Sequence, residues 1–287
     1  MSTSNYQSRQ IVSPKQAGGP TRLFDANGYP IIATVGEELK VAQTYTLADL
    51  TNKYGLDTRI WDYKTTTGGA VTFDGTQSAL QIAVTGAAGA SADLLTDTFY
   101  KYQAGYTQRV TMSIINSDTG QVNQVRQWGY FDDNNGLFFQ LSGTSLSIVE
   151  RSNTSGSPVD TVIPQSTWNV DPLNGTGPSG IALDVSKGNL YDIEIQWYGV
   201  GVTQYFVNNL LVHRVNHTNT YSAPYMRTAV LPVRLRIINT GASSSGIVTF
   251  VCGRVVAQGQ IHDPYEWSYG IGNTVDVSVP TTETPIL

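Results

Sequence analysis

From about Ala79 onward, apolar residues recur at every second position. Leu80, Ile82 and Val84 alternate with polar neighbours, as do Val110, Met112 and Ile114, and later Val233, Leu235 and Ile237. A period of two, in place of the 3.6 of a helix, lays one face of an extended strand on a core and leaves the other outside. Turn-forming clusters fall roughly every 8–12 residues between these runs, the spacing of a sandwich or barrel. The clearest are Asp132-Asp-Asn-Asn-Gly136, between Trp128–Phe131 and Leu137–Leu141, and Ser142-Gly-Thr-Ser145 after it. They predict a three-stranded meander that continues through Leu146–Arg151. Asn208-Asn209 predicts a hairpin of Val202–Val207 with Leu210–Val215, because asparagine tolerates the left-handed backbone of two-residue turns. The best helix signal is the weak capping box Thr46-Leu-Ala-Asp49, which predicts a short helix near 46–54 with Gly55 as its stop. The expected fold is all-β: an antiparallel β-sandwich over residues 66–265.

The ends read differently. Residues 1–65 mix Pro14, Gly18-Gly19-Pro20, Asn27-Gly28 and Pro30 with isolated apolar residues such as Ile11, Val12, Leu23 and Phe24. A segment like this has no core of its own, so it is expected to lie against a partner as an extended anchoring arm. Residues 266–287 form a Thr/Val/Pro-rich C-terminal extension that finishes on Pro285-Ile286-Leu287. By length alone, 287 residues suit two domains; one sandwich with arms accounts for them equally.

Charge narrows the function classes. Only 14% of residues are charged, against about 25% in ordinary soluble proteins, while 40% are hydrophobic. That combination excludes a disordered chain. With 17 basic against 22 acidic residues the net charge is −5, and no dense basic patch offers a footprint for nucleic acid. The polar but uncharged surface, rich in Ser, Thr, Asn and the 16 tyrosines, fits a component of an assembly or of the outside of a cell. No apolar stretch approaches the ~20 residues of a membrane span, and the first residues lack the apolar core of a secretory signal. Cys252 is the single cysteine, which excludes an intrachain disulfide; alternation with Val248 and Phe250 predicts that it is buried.

Several constellations bear on chemistry. Asp192-Ile-Glu-Ile-Gln196 puts three polar side chains on one strand face, neighbours about 6.6 Å apart along the strand, near the carboxylate spacing of retaining glycosidases. The order differs from the Glu-x-Asp-x-x-Glu of a jelly-roll glycosidase family, and Gln196 cannot protonate a leaving group, so solvent-facing polar residues are the expectation. His213 and His217 would lie roughly 13 Å apart on a strand, too far to share a metal. His262 stands alone. Asp171, Asn174 and Asp184 supply oxygen atoms suited to Ca²⁺ within a distinctive loop, without the spacing of a calcium-binding motif. No cofactor is expected. Tyr100, Tyr102, Tyr106 and Trp267 read as surface aromatics, suited to assembly contacts first and to stacking on sugar rings second.

Seven ordered segments carry a family resemblance: Tyr100-Lys-Tyr-Gln-Ala-Gly105, Gly129-Tyr-Phe-Asp-Asp-Asn-Asn-Gly136, Trp168-Asn-x-Asp171, Ser179-Gly-x-x-Leu-Asp184, Ile195-Gln-Trp-Tyr-Gly-Val-Gly201, Tyr225-Met226 and Leu231-Pro-Val-Arg234. Together they resemble virion structural proteins of tailed bacteriophages, cyanophages especially, and of some large DNA viruses, over about residues 97–287. The resemblance implies a virion component and carries over no catalytic residue. Asp192–Trp197 followed by the Asn208-Asn209 hairpin also resembles the central strands of concanavalin-like and laminin-G-like jelly rolls. The expected protein is a non-enzymatic phage structural component, projecting from capsid, neck or tail. Its expected partners are itself, as a homotrimer, and other virion proteins. The rival expectations are a module that grips a host surface glycan and, behind it, a glycan hydrolase using Asp192 and Glu194.

Overall fold

The computed structural model describes residues 44–259. Among them, the first strands are β1 (Thr44–Thr51), β2 (Trp61–Thr65), β3 (Gly69–Asp74), β4 (Ala79–Val84), β5 (Ser91–Thr96), β6 (Thr107–Asn116), β7 (Gln124–Phe131) and β8 (Gly136–Ser142). They continue as β9 (Ser145–Ser152), β10 (Val159–Pro164), β11 (Gly188–Ile195), β12 (Val202–Val207), β13 (Leu210–Asn216), β14 (Val233–Asn239) and β15 (Gly246–Gln258). One sheet runs β13-β12-β11-β6-β15-β4-β3, with β1 also paired to β15; the other runs β10-β9-β8-β7-β14-β5-β2. The pairings are antiparallel, and the two sheets face one another over a single large apolar cluster. This is the antiparallel sandwich that the two-residue period predicts.

The turn chemistry holds where the sequence is most explicit. The β7–β8–β9 meander forms, and Asp132 closes its first turn by accepting the N–H groups of Asn134 (2.7 Å) and Asn135 (2.6 Å) on Oδ1. Asn208 and Asn209 both adopt positive φ, 51° and 64°, between β12 and β13. The alternating residues Leu80, Ile82, Val110, Met112, Ile114, Leu235 and Ile237 all reach the core.

Three expectations fail. Residues 46–54 form no helix: Thr44–Thr51 is strand β1, paired to the second half of β15. A helix of two turns is marginal on its own, whereas that flank of β15 offers a full ladder of hydrogen bonds. Leu50 and Trp61 are both 2% exposed, so β1 and β2 belong to the body, which extends at least to Thr44 instead of starting at 66. Cys252, expected inside, is exposed. The ladder of β15 with β6 slips between Phe250 and Gly253, and this bulge turns the inward phase from Val248 and Phe250 to Gly253 and Val255. Ile11, Val12, Leu23, Phe24, Trp267 and the arm and tail themselves lie outside the described residues.

Gly136 shows how tight the meander is. Its φ is +153°, and a Cβ there would stand 2.0 Å from Cβ of Phe131. Gly136→Ala is expected to lower unfolding stability by about 2–4 kcal/mol, read as a shifted denaturation midpoint at unchanged slope. A variant as stable as the parent would refute this backbone placement.

Candidate functional site

The site begins with a phase argument in β9. Leu146 and Ile148 point into the sandwich, and the same parity carries Glu150 inward at the end of that row. A carboxylate there needs partners, and β12 of the opposite sheet provides them. Glu150 Oε1 accepts the hydroxyls of Thr203 (2.9 Å) and Tyr205 (3.1 Å). Oε2 lies 3.0 Å from Nε2 of His217, a fully buried ring just past β13. Nδ1 of His217 is 2.8 Å from the Gly201 carbonyl oxygen, which can only accept, so Nδ1 carries a proton. The contact to Glu150 then requires one more proton, on Nε2 or on the carboxyl. Tyr225 stacks flat on the imidazole at 3.6 Å and 7°. Burial, with the Glu150 charge beside them, pushes the phenols of Tyr205 and Tyr225 well above their usual range.

Glu150 and Tyr225 of this cluster line a cleft of about 300 Å³ between β9, β10 and the 221–225 segment. Glu150, Ser152, Thr154, Ser155, Tyr221 and Tyr225 line it, and among the described residues no lysine or arginine does. Tyr221 is 52% exposed, with its ring centroid 6.0 Å from that of His217. The segment is held by the Tyr225 N–H donating to Gly199 O at 2.9 Å. Gly199, at φ +78°, packs closely on the ring of Pro224. The Tyr225 hydroxyl is buried with no hydrogen-bond partner among the described residues.

The constellations chosen from sequence behave differently. Asp192 and Glu194 share the outer face of β11 as expected, but Asp192 is only 1% exposed. Arg109 on β6 bridges them, 3.0 Å to Asp192 and 3.2 Å to Glu194, and stacks over Phe206 at 5.0 Å. Thr111 also hydrogen-bonds Asp192, and Gln258 donates to Glu194 at 3.0 Å. The pair is bridged by a single guanidinium and is not the solvent-facing row that alternation predicts; the cross-strand arginine covers it. Gln196 is exposed.

The oxygens of the 171–184 loop serve its backbone. Burial opposes ionisation of Asp171, but the N–H groups of Leu173 and Ser179 outweigh it and hold the carboxyl below its usual range. Asn174 takes the Thr176 N–H and Asp184 the Ser186 N–H. Among the described residues no three His, Cys, Asp or Glu side chains converge on a metal position. His213 and His217 have separate partners, the former accepting the Asn169 N–H at 3.1 Å.

The aromatic contacts also need correction. Tyr100 and Tyr102 are 6% and 9% exposed, so neither is a surface contact. The segment is sewn down: Tyr100 N–H donates to Leu231 O, and Tyr100 O lies 2.7 Å from the Tyr130 hydroxyl. Tyr102 packs edge-on against Trp197. Tyr106 is half-buried, with its ring close against Gly259. Glu150, His217, Tyr221 and Tyr225 form the group that sequence reasoning did not assemble. Their one local signal is a carboxylate in the apolar phase of Leu146-x-Ile148-x-Glu150.

No protein-family model and no curated protein matches the sequence. Among solved structures, the chain is similar to an endo-1,3-β-glucanase from Streptomyces sioyaensis, at 14% identity and a TM-score of 0.50, covering 76% of this chain and 97% of that one. It is also similar to the binding domain of botulinum neurotoxin DC, solved in complex with SialylT, at 10% identity and a TM-score of 0.43, covering 73% of this chain and 47% of that one. The chain thus spans about half the length of the neurotoxin domains it matches. At such identities the likeness is one of fold: a jelly-roll-like sandwich.

Two measurements probe these networks. Arg109→Leu strips Asp192 of its counter-charge and is expected to cost about 2–4 kcal/mol of stability by denaturant titration; a loss below ~1 kcal/mol would mean the network is dispensable. Burial, against the opposing pull of Glu150, holds the His213 imidazole below its ordinary value of 6.5. Below pH 6.5 the unfolded chain therefore takes up a proton that the folded chain refuses, and stability falls as pH drops. His213→Gln should flatten that decline below pH 6.5, and an unchanged slope would count against it.

Proposed function

We propose that this chain is a non-enzymatic structural protein of a bacteriophage particle, with the sandwich as its projecting body and the N-terminal residues as its anchor. The observation that carries the reading is where the seven virion-family segments fall. Each contributes to the architecture of the body. Tyr130 reaches the carbonyls of Tyr100 and Ala229 and accepts from Gln108 and Leu231. Trp168 and Asp171 are both 4% exposed, and Ser179 pins Asp171. A Cβ on Gly201 would meet the Gln196 carbonyl oxygen at 1.6 Å. Met226 and Leu231 are fully buried, and Arg234 is paired to Asp93 and Asp133. Segments of this kind preserve a shape, which supports a building block over an enzyme. The Arg109 bridge supports the same reading, since it occupies the two carboxylates that hydrolysis would need free.

The anchoring role has a clean test now that β1 belongs to the body. Deleting residues 1–43, and no further, is expected to leave a folded sandwich that no longer enters particles, read by mass spectrometry of purified virions. Normal incorporation would remove the arm from the proposal. The full chain is expected to sediment as a trimer at micromolar concentration; a monomer would remove self-association.

A second reading, recognition of a host surface glycan, is favoured by one feature, the hydroxyl-lined cleft beside Tyr221. A glycan array with no binder at millimolar sensitivity would eliminate it.

A further inference from the structure

The cleft over Glu150 differs in kind from the rest of the described surface. Two of its lining side chains are fixed from within: the buried His217 imidazole contacts the Glu150 carboxylate at 3.0 Å and stacks on the Tyr225 ring. Both Glu150 oxygens are engaged, Oε1 by Thr203 and Tyr205 and Oε2 by His217. Glu150 is therefore neither an open acid nor a nucleophile. Above it stands a half-exposed aromatic ring, Tyr221, over a wall of small hydroxyl side chains. Its volume, about 300 Å³, meets the lower end of small-ligand sites.

We propose that this cleft binds a neutral saccharide residue, whose C–H face packs on Tyr221 and whose hydroxyls bond to Ser152, Thr154 and Ser155. The proposal rests on the glycan-recognition reading and deepens it. Stacking follows from the charge distribution of an aromatic ring: its face is negative, and the axial hydrogens of a pyranose are slightly positive. Ser155 donates to the Ser157 carbonyl (3.1 Å) and Ser152 and Thr154 share one hydrogen bond (2.9 Å), so the wall keeps acceptor lone pairs on all three oxygens and one free proton on the Ser152–Thr154 pair for sugar hydroxyls. Neutrality follows from charge. With no lysine or arginine among the described lining residues and Glu150 in the lining, a sialylated or phosphorylated sugar finds no counter-charge there.

The test uses the full chain with methyl glycosides of glucose, galactose, mannose and N-acetylglucosamine, together with lactose and 3′-sialyllactose. Saturation-transfer NMR detects contact and calorimetry gives affinity. At least one neutral sugar is expected to bind with a Kd of ~1 mM, typical of one shallow subsite. Tyr221→Ala, at an exposed position, should weaken it at least tenfold with the melting curve unchanged. Tyr221→Phe, which keeps the ring, should restore it. Sialyllactose binding more tightly than lactose would overturn the neutral assignment. Binding that survives Tyr221→Ala intact would overturn this site while leaving glycan recognition standing elsewhere. Silence from every sugar would remove both, and the structural role in the particle would be untouched.

Discussion

The ring of Phe139 is where the two sheets meet. From β8 it touches Tyr191 (4.9 Å) and Tyr205 (5.8 Å) of the opposite sheet, and Trp128 (6.4 Å) and Trp168 (6.3 Å) complete the group. Rows of the second sheet order the interior around it. Trp128, Phe139 and Ile148 lie level; Arg126, Leu141 and Leu146 form the row on one side, and Tyr130, Leu137 and Glu150 the row on the other. The middle row is aromatic and apolar, and polar groups enter only in the rows that flank it. Tyr205 joins the two regimes, with its ring on Phe139 and its hydroxyl on Glu150. That hydroxyl, once buried, required an acceptor, and an acceptor so placed required His217. The candidate cleft is thus where the aromatic layer runs out.

Low charge content takes on a different meaning in this light. The sequence has few ionised groups, and many of those described are spent inside. Arg126, fully buried, reaches Asp118 through two bonds of 2.8 and 2.9 Å and takes Gln124 as well. Arg234 makes a paired contact with Asp93 and stacks over Phe131 on the outer face of the second sheet. Buried pairs contribute little net stability against an apolar alternative, yet breaking one is costly. They fix register and crossing geometry in a fold whose strands otherwise differ little in pattern. The outer surface that remains is dominated by hydroxyl and amide side chains, which suits crowded assembly and, at one cleft, a hydroxylated ligand.

Legibility tracked how local the deciding physics was. The strand phases, the Asp132–Gly136 turn and the Asn208-Asn209 hairpin are determined within a few residues, and each formed as read. The 46–54 segment was misread because its fate depends on β15, two hundred residues away. Cys252 was misread because a bulge inverts phase without a composition signal. Tyr100 and Tyr102 looked exposed because nothing nearby shows that Leu231 and Tyr130 hold their segment down. Of the candidate site, Glu150 was visible as a charge in an apolar phase. Its companions come from β12, from the end of β13 and from the segment before β14, and only the closed sandwich brings them together.

A sandwich that hydrolyses glycans and one that merely holds them differ in what is done with carboxylates. Hydrolysis needs two within reach of one bond, one ionised and one able to give up a proton. Here the two on β11 share one guanidinium, and Glu150 is saturated by two hydroxyls and an imidazole. Freeing either site would mean exposing a buried charge, at a cost that a shallow sugar contact could not offset. Among the described residues, the same bonds that make the body rigid also hold these three carboxylates in place. What they leave available is a fixed surface, and a fixed surface is what both a particle component and a weak saccharide site require.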